Sequence, residues 1–204
     1  MSDGASRPAA IVLAAGGSAR LGVPKQLIEF RGEPLVRRAA RAAAEAGAST
    51  VLVVAGAEIS EIALALNGLP FAAMIVNDRW REGLASSLAA GVRELQRLDP
   101  RADGVLITTS DQPLVTDASL ARLLDAFARG ARLVAAAYSG TIGVPAVIAR
   151  EHFDALLALE GDVGAGKWLR GRGDAVHRIA VPEAAVDIDT TEDAALLAAM
   201  ANIP

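Results

Sequence analysis

One arginine and one lysine, Arg20 and Lys25, stand five residues apart in LAAGGSARLGVPKQL (Leu13–Leu27), behind an apolar run and a turn of small residues. Gly16 and Gly17, with Gly22 beyond them, let the backbone approach a ligand and turn N–H groups toward it, which favours anions. The planar fork of Arg20 suits phosphate oxygens, and Lys25, fixed by the preceding Pro24, adds a compact charge, so the pair suits a triphosphate. The plainer reading is a surface turn with two solvated cations. The loop has no G-x-G-x-x-G and no following G-K-[ST], which excludes the dinucleotide and P-loop patterns.

The carboxylates supply the second half of such chemistry. Asp111 directly follows GVLITTS, so it lies at the carboxyl end of a strand, where Mg²⁺ would bridge a triphosphate; its plainer role is to cap the turn before Pro113. Asp187 and Asp189 flank Ile188, and in an extended segment both carboxylates point one way while Ile188 points to the core. Asp189 is also placed to cap the last helix with Thr190. Asn77, Gly83, Ser86 and Ser87 group donors that suit a nucleobase edge or, equally, a helix N-terminus with serine caps. Trp80 reads as a packing residue, and Asp162, between Gly161 and Gly164, as a turn residue or a contact to a second substrate. His152 and His177 join no motif, Glu192 and Asp193 suit a helix dipole, and the arginines of Arg37–Arg41 read as a solvated helix face.

Composition narrows the partners. The chain has 204 residues, a net charge of −4, 52% hydrophobic and 22% charged residues, enough for one self-sufficient core and no global basic field for nucleic acid or anionic membrane. With no cysteine and two distant histidines, disulfides and thiolate chemistry are excluded and any metal is expected on oxygen ligands. Aromatic residues, at 3%, are too few for a single-strand-binding platform. The N-terminus lacks a secretory core and no run reaches membrane-span length, so a cytoplasmic protein with no membrane partner is expected.

These residues need elements to position them. Apolar runs bounded by Gly, Pro and Asp predict strands at Ala9–Ala14, Thr50–Ala55, Ala73–Val76, Gly104–Thr109, Leu133–Tyr138 and Ala146–Ile148, each apolar enough to be buried on both faces of a parallel or mixed sheet. Helical periodicity predicts helices at Pro34–Ala46, Glu58–Leu66, Leu84–Leu98, Asp117–Arg129, Glu151–Leu159 and Thr191–Ala201, the fourth capped by Thr116 or Asp117. Alternation of this kind predicts an α/β domain that binds ligands at the carboxyl ends of its strands, where loops 15–25, 77–87 and 110–113 gather.

LAAGGSARLGVPKQL closely resembles the signature L-A-A-G-x-S-x-R-x-G-x-x-K of the molybdopterin nucleotidyltransferases, of the guanylyl- and cytidylyl-transferring type. NDRWREGLASSLAAG is similar to that family's N-x-x-W-x-x-G-x-x-x-S segment and SDQP to its metal-binding D-Q-P. GTIGVPAVI and EGDVGAG are similar to its acceptor-side loops, and VDIDTTED to its D-I-D-T-P-E-D tail. The resemblance implies a single-domain, three-layer αβα, Rossmann-like (GT-A-like) nucleotidyltransferase over residues 1–204 with a mostly parallel central sheet. It implies that Leu13, Ala14, Ala15, Gly16, Gly17 and Ser18 wrap a nucleoside triphosphate with Arg20 and Lys25 on its phosphates. Asn77, Gly83, Ser86 and Ser87 would then lie near the base, and Gly143, Pro145 and Asp162 near the acceptor. Asp111 would bind Mg²⁺ with Asp189 or Asp187, Asp189 being the first choice.

The implied reaction is transfer of CMP from CTP to a phosphorylated small-molecule acceptor, molybdopterin or its molybdenum form, with release of pyrophosphate and with a molybdenum hydroxylase as a further partner. Guanylyl-transferring relatives usually have glycine where Ala15 stands, and this points to CTP. The family usually carries a basic residue at the position of Gly166, and cytidylyl members often a histidine at that of Val144, so the acceptor stays open. PKQL is also similar to methylerythritol phosphate cytidylyltransferases, which gives transfer to that or a sugar phosphate as an alternative. A non-catalytic molybdopterin carrier is another.

Overall fold

Val, Ile, Leu and Ala runs without polar alternation bury both faces away from water, and they build the sheet at the centre of the molecule. The computed structural model describes residues 8–18 and 21–201. In chain order they form β1 (Ala9–Ala14), the short ribbon β2 (Glu29–Phe30) and β3 (Glu33–Pro34), α1 (Leu35–Glu45), β4 (Val51–Ala55), α2 (Ile59–Leu66), β5 (Ala72–Val76) and α3 (Leu84–Leu98). There follow β6 (Gly104–Thr109), α4 (Asp117–Ala128), β7 (Leu133–Tyr138), β8 (Thr141–Ala149), α5 (Phe153–Leu157), α6 (Ala165–Arg170), β9 (His177–Ala180) and α7 (Thr191–Ala201).

Seven strands form one sheet in the order β5-β4-β1-β6-β8-β7-β9. Strands pair in parallel except where β8 runs antiparallel between β6 and β7. The chain steps outward from β1 through β4 to β5 and then returns to β6 on the other side of β1. That reversal is a topological switch point, and in such sheets the crevice beyond the strand ends is where ligands bind. The loops leaving β1 and β6 flank it.

Alternation along the strands sorts the core into two layers. Ala10, Val12 and Ala14 of β1 join Val36 of α1, Ile62 of α2 and Leu120 and Phe127 of α4 on one face. Ile11 and Leu13 join Leu88, Val92 and Leu95 of α3, Phe153 of α5 and Leu169 of α6 on the other. The result is a single-domain, three-layer α/β fold with a mostly parallel sheet. A third, small cluster of Leu21, Phe30, Leu35, Ile188 and Leu197 fastens the C-terminal segment beside the first loop.

Three expectations need correction. Ala73–Val76 is not buried on both faces: β5 is the sheet edge, and Val76 is 44% exposed. The arginines of Arg37–Arg41 are ties rather than a solvated face. Arg37 donates to the carbonyls of Ala65 and Asn67, Arg38 Nε donates to the Pro113 carbonyl at 2.8 Å, and Arg41 pairs with Glu33 and Glu45. Finally, Ala146–Ile148 is only the end of β8. Ala135 pairs with Ala146 but Ala136 with Gly143, so Val144 and Pro145 stand outside the register, where a residue without an N–H is tolerated.

Candidate active site

Sequence places the first loop between β1 and a single 3₁₀ turn at Lys25–Leu27, and one buried side chain holds the two together. Gln26 is only 1% exposed, and its Nε2 donates to the carbonyls of Ala14 at 3.0 Å and Gly16 at 2.5 Å. An amide with two donors suits two converging carbonyls, whose buried oxygens would otherwise lack partners. Ser18 Oγ accepts from the Lys25 N–H at 2.9 Å, which fixes where the lysine leaves the backbone. Leu13, Ala14, Ala15 and Gly16 line the resulting cleft, of about 420 Å³, together with Lys25, Asp111 and Ser87. Arg20 lies outside the described residues.

Three contacts seat the carboxylates. The Ser110 N–H donates to the Leu13 carbonyl, Arg38 holds the Pro113 carbonyl, and the Ile188 N–H donates to the Asp111 carbonyl at 3.0 Å. With Ile188 buried in the small third cluster, the flanking aspartates face the strand ends as their alternation predicts. Lys25 Nζ lies 2.5 Å from Asp111 Oδ2 and 2.9 Å from Asp189 Oδ1. Burial works to lower the lysine's pKa, but the two carboxylates outweigh it and the pKa is raised, so the ammonium is fully charged at neutral pH. The helix cap is made elsewhere: Asp193 Oδ2 accepts from the Asp189 and Thr190 N–H groups, and Thr190 Oγ1 accepts from the Asp193 N–H. Asp193 is thus a capping-box residue, more than a dipole partner.

Asp187 has a different environment from Asp189. Burial and the nearby charge of Asp111 push its pKa up from 3.8 to about 6, against the opposing pull of the Gln112 amide. Asp111, Asp187 and Asp189 therefore feel one another, although among the described residues no three acidic or histidine groups stand close enough to hold an ion by themselves. The donor set still fits a hard divalent cation. Two carboxylates already converge on one cationic nitrogen, and Mg²⁺ or Mn²⁺ bound by two carboxylates takes its remaining oxygens from phosphate and water.

At the start of α3, Asn77 is buried, and both hydrogens of its amide are committed, to Ser86 Oγ at 2.9 Å and Ser87 Oγ at 3.0 Å. Its Oδ1 accepts from the Arg79 N–H, so Asn77 braces the start of α3. Trp80 packs against Gly17 and Gly56, with Arg81 stacked 4.4 Å above its ring. Gly83 has φ +112°, and a Cβ there would lie 2.4 Å from the Gly161 backbone and 2.8 Å from Asp162 Oδ1. That close approach, with the Ala85 N–H donating to the Gly161 carbonyl, brings Asp162 into the same cleft as Lys25 rather than a separate one.

Gly143 and Pro145 sit on β8 beneath Tyr138, whose hydroxyl would be within 2.3 Å of a Cβ at position 143. Gln112 Nε2 donates to the carbonyls of Ala184 and Val144, tying the Asp111 turn to this side. Of the sequence-predicted residues, Gly17, Ser18, Gly143, Pro145, Asp187 and Asp189 stand outside the cleft lining, Asp189 reaching it through Lys25, and Asn77 and Ser86 line a neighbouring cavity beside α3. His152 packs edge-on to Trp168, and His177 lies exposed on β9, both away from the cleft. Sequence reasoning missed Gln26 and Tyr138. Gln26 carried a signal, an amide directly after the candidate lysine; Tyr138 carried none, because its neighbours come from distant segments.

Comparison with known proteins gives the family of the chain. The family model described as "MobA-like NTP transferase domain" matches residues 10–178. Nicotine blue oxidoreductase of Paenarthrobacter nicotinovorans is 32% identical over 194 residues, covering 89% of this chain and 92% of that protein. The crystal structure of the Mycobacterium sp. strain JC1 homologue of Rv0371c superposes with a TM-score of 0.80 at 30% identity, covering 96% of this chain and 97% of that one. Mycobacterium tuberculosis H37Rv Rv0371c in complex with manganese gives a TM-score of 0.75 at 27% identity, with 94% and 97% covered. The chain belongs to the MobA-like NTP transferase domain family.

Proposed function

We propose that the protein is a divalent-metal-dependent cytidylyltransferase that moves CMP from CTP to the phosphate of molybdopterin or its molybdenum form and releases pyrophosphate. The observation that carries the reading is the convergence of Lys25 with Asp111 and Asp189 at the switch point, beneath a glycine-rich loop. A phosphate oxygen of the acceptor attacks the α-phosphorus of CTP; the new P–O bond forms as the bond to the β-phosphate bridge breaks, and pyrophosphate carries away the electron pair. The acceptor is already ionised, so no general base is required, and positioning with charge neutralisation suffices. Lys25, and Arg20 by resemblance, neutralise the triphosphate, while Ala15 narrows the cleft in favour of a pyrimidine. Asp111 and Asp189 would hold Mg²⁺ or Mn²⁺, which when bound supplies charge stabilisation to the transferring phosphate. A mycobacterial relative whose structure holds manganese supports a divalent cation in the reading.

Pyrophosphate release with CTP and molybdopterin, dependent on added Mg²⁺, tests the reading; turnover with GTP alone would overturn the nucleotide choice. A second reading, an oxidoreductase activity in the same cleft, is favoured only by the name of the 32% identical relative. Oxidation of NADH or NADPH, followed at 340 nm in the same samples, separates the two.

A further inference from the structure

At the end of the sheet opposite the cleft, a separate cavity of about 400 Å³ opens between the carboxyl ends of α1 and α4. Pro8, Asp103 and Arg132 line it, and they stand directly before β1, β6 and β7, three strands that run the same way. Asp111 follows the far end of β6, so the length of that strand separates the cavity from the reaction centre. Ala46 and Gly47, which follow α1, and Ala128, which ends α4, complete the rim. The volume falls in the range of about 300–1,000 Å³ where small-molecule sites are found.

The walls of this cavity are apolar and its charge is negative. Leu124 and Phe127 are buried, and the Phe127 ring lies against the first residue of β6, where a Cβ on Gly104 would come within 2.5 Å of Cζ. Asp103 and Asp125 stand on the lining against one arginine. That arginine, Arg132, is engaged elsewhere: its guanidinium lies 5.0 Å over the Phe127 ring and its Nε 3.7 Å from Glu151 Oε2. Among the described residues neither aspartate takes part in a salt bridge.

Asp103 is fixed through its carbonyl, which accepts from the Arg150 N–H at 2.9 Å, yet its Oδ1 is shut away from water without a hydrogen-bond partner. A carboxylate oxygen held in that way is costly and calls for a compensating charge. The carboxyl ends of α1 and α4, helices of eleven and twelve residues, add about half a negative charge each. A bare metal ion does not suit the place, because among the described residues no three acidic or histidine groups converge and the walls offer carbon rather than oxygen. A cation that brings its own N–H donors and an apolar body satisfies both the carboxylates and the walls.

We propose that this cavity is a second ligand site, for a small organic cation that carries a primary ammonium or amidinium group on an apolar body. The cation meets Asp103 and Asp125 beside the two helix ends, and the body rests on Phe127 and Leu124. No residue of the cleft takes part, so the site stands whether or not the chain releases pyrophosphate.

Benzylamine is the probe. The chain has four phenylalanines, so 4-fluorophenylalanine labelling gives four ¹⁹F resonances, of which the one lost in Phe127→Leu belongs to the cavity. Titrated into the 204-residue protein at constant ionic strength, benzylamine should shift that resonance saturably. Benzyl alcohol, of the same shape without the charge, should bind about tenfold more weakly or less, and Asp103→Asn and Asp125→Asn should each weaken benzylamine about tenfold. Ala128→Phe, which keeps both carboxylates and fills the rim, should weaken it by a similar factor, and it serves if the asparagine variants fail to fold by circular dichroism. An unshifted resonance, equal affinity for the amine and the alcohol, or affinity unchanged in the variants overturns the proposal. Spermidine, with more charge and no apolar body, should bind more weakly than benzylamine; tighter saturable binding by spermidine would reveal an acidic surface alone and overturn the assigned ligand class.

Discussion

Lys25 Nζ stands 2.5 Å from Asp111 Oδ2, so the side chain expected on the nucleotide's phosphates is bonded to the carboxylate expected on the metal. The relationship joins the two halves of the candidate site across 86 residues of sequence. It also makes the lysine an internal cation in the place where a divalent one would be held, so metal–nucleotide binding must exchange one for the other.

That exchange predicts opposite effects of Lys25→Met. Mn²⁺ binding without nucleotide, followed by electron paramagnetic resonance, should tighten by about tenfold because the competing charge is gone. Turnover should fall by about 10² or more because phosphate stabilisation is lost. Weakened Mn²⁺ binding would contradict the exchange.

The two tail aspartates should separate. Asp189 contacts the Lys25 ammonium, whereas Asp187 is placed by its shared field with Asp111. Asp189→Asn should lower Mn²⁺ affinity with CTP present by about tenfold or more, and Asp187→Asn by less than about threefold, as measured by calorimetry. Asp111→Ala should abolish metal-dependent turnover while leaving the circular dichroism spectrum unchanged.

Gln26→Ala strands the carbonyls of Ala14 and Gly16 and opens a small void. The loss should be about 2–3 kcal/mol in urea unfolding, with turnover reduced through a loosened loop. A variant of normal stability would show that solvent or another donor replaces the amide.

Glu33 and Arg41 predict a pH-dependent stability term. The Arg41 hydrogen bond holds the Glu33 carboxyl below its ordinary value of 4.5, despite opposing burial. A carboxyl depressed in the folded state stabilises at pH values above its unfolded pKa, and that contribution is lost as pH falls through the lower folded value. Glu33→Gln should therefore cost about 0.5–1 kcal/mol at pH 7, the pair being partly exposed, and the gap from wild type should close in acid below the usual glutamate range.

Much of this layout is legible in the sequence because local chemistry coincides with global position. Ala9–Ala14, Gly104–Thr109 and Leu84–Leu98 fall where apolar runs and helical period place them. The alternation around Ile188 predicts which way Asp187 and Asp189 turn, and the buried isoleucine explains why it holds. β9 was not legible, since HRIA is half polar and pairs only because it lies beside β7. Nor was α6, six residues that pack through Ala165 and Leu169 rather than through intrinsic helix stability. The arginines of α1 misled for a physical reason: sequence shows their charge but not the carbonyls of Asn67 and Pro113 that fold toward them.

Pyrophosphate release measured from CTP and from GTP, with and without Mg²⁺, against molybdopterin and against methylerythritol phosphate, tests the central claim most directly. The account predicts Mg²⁺-dependent release with CTP and molybdopterin that disappears in Asp111→Ala. Equal release by Asp111→Ala, or no release from CTP with either acceptor, would contradict it.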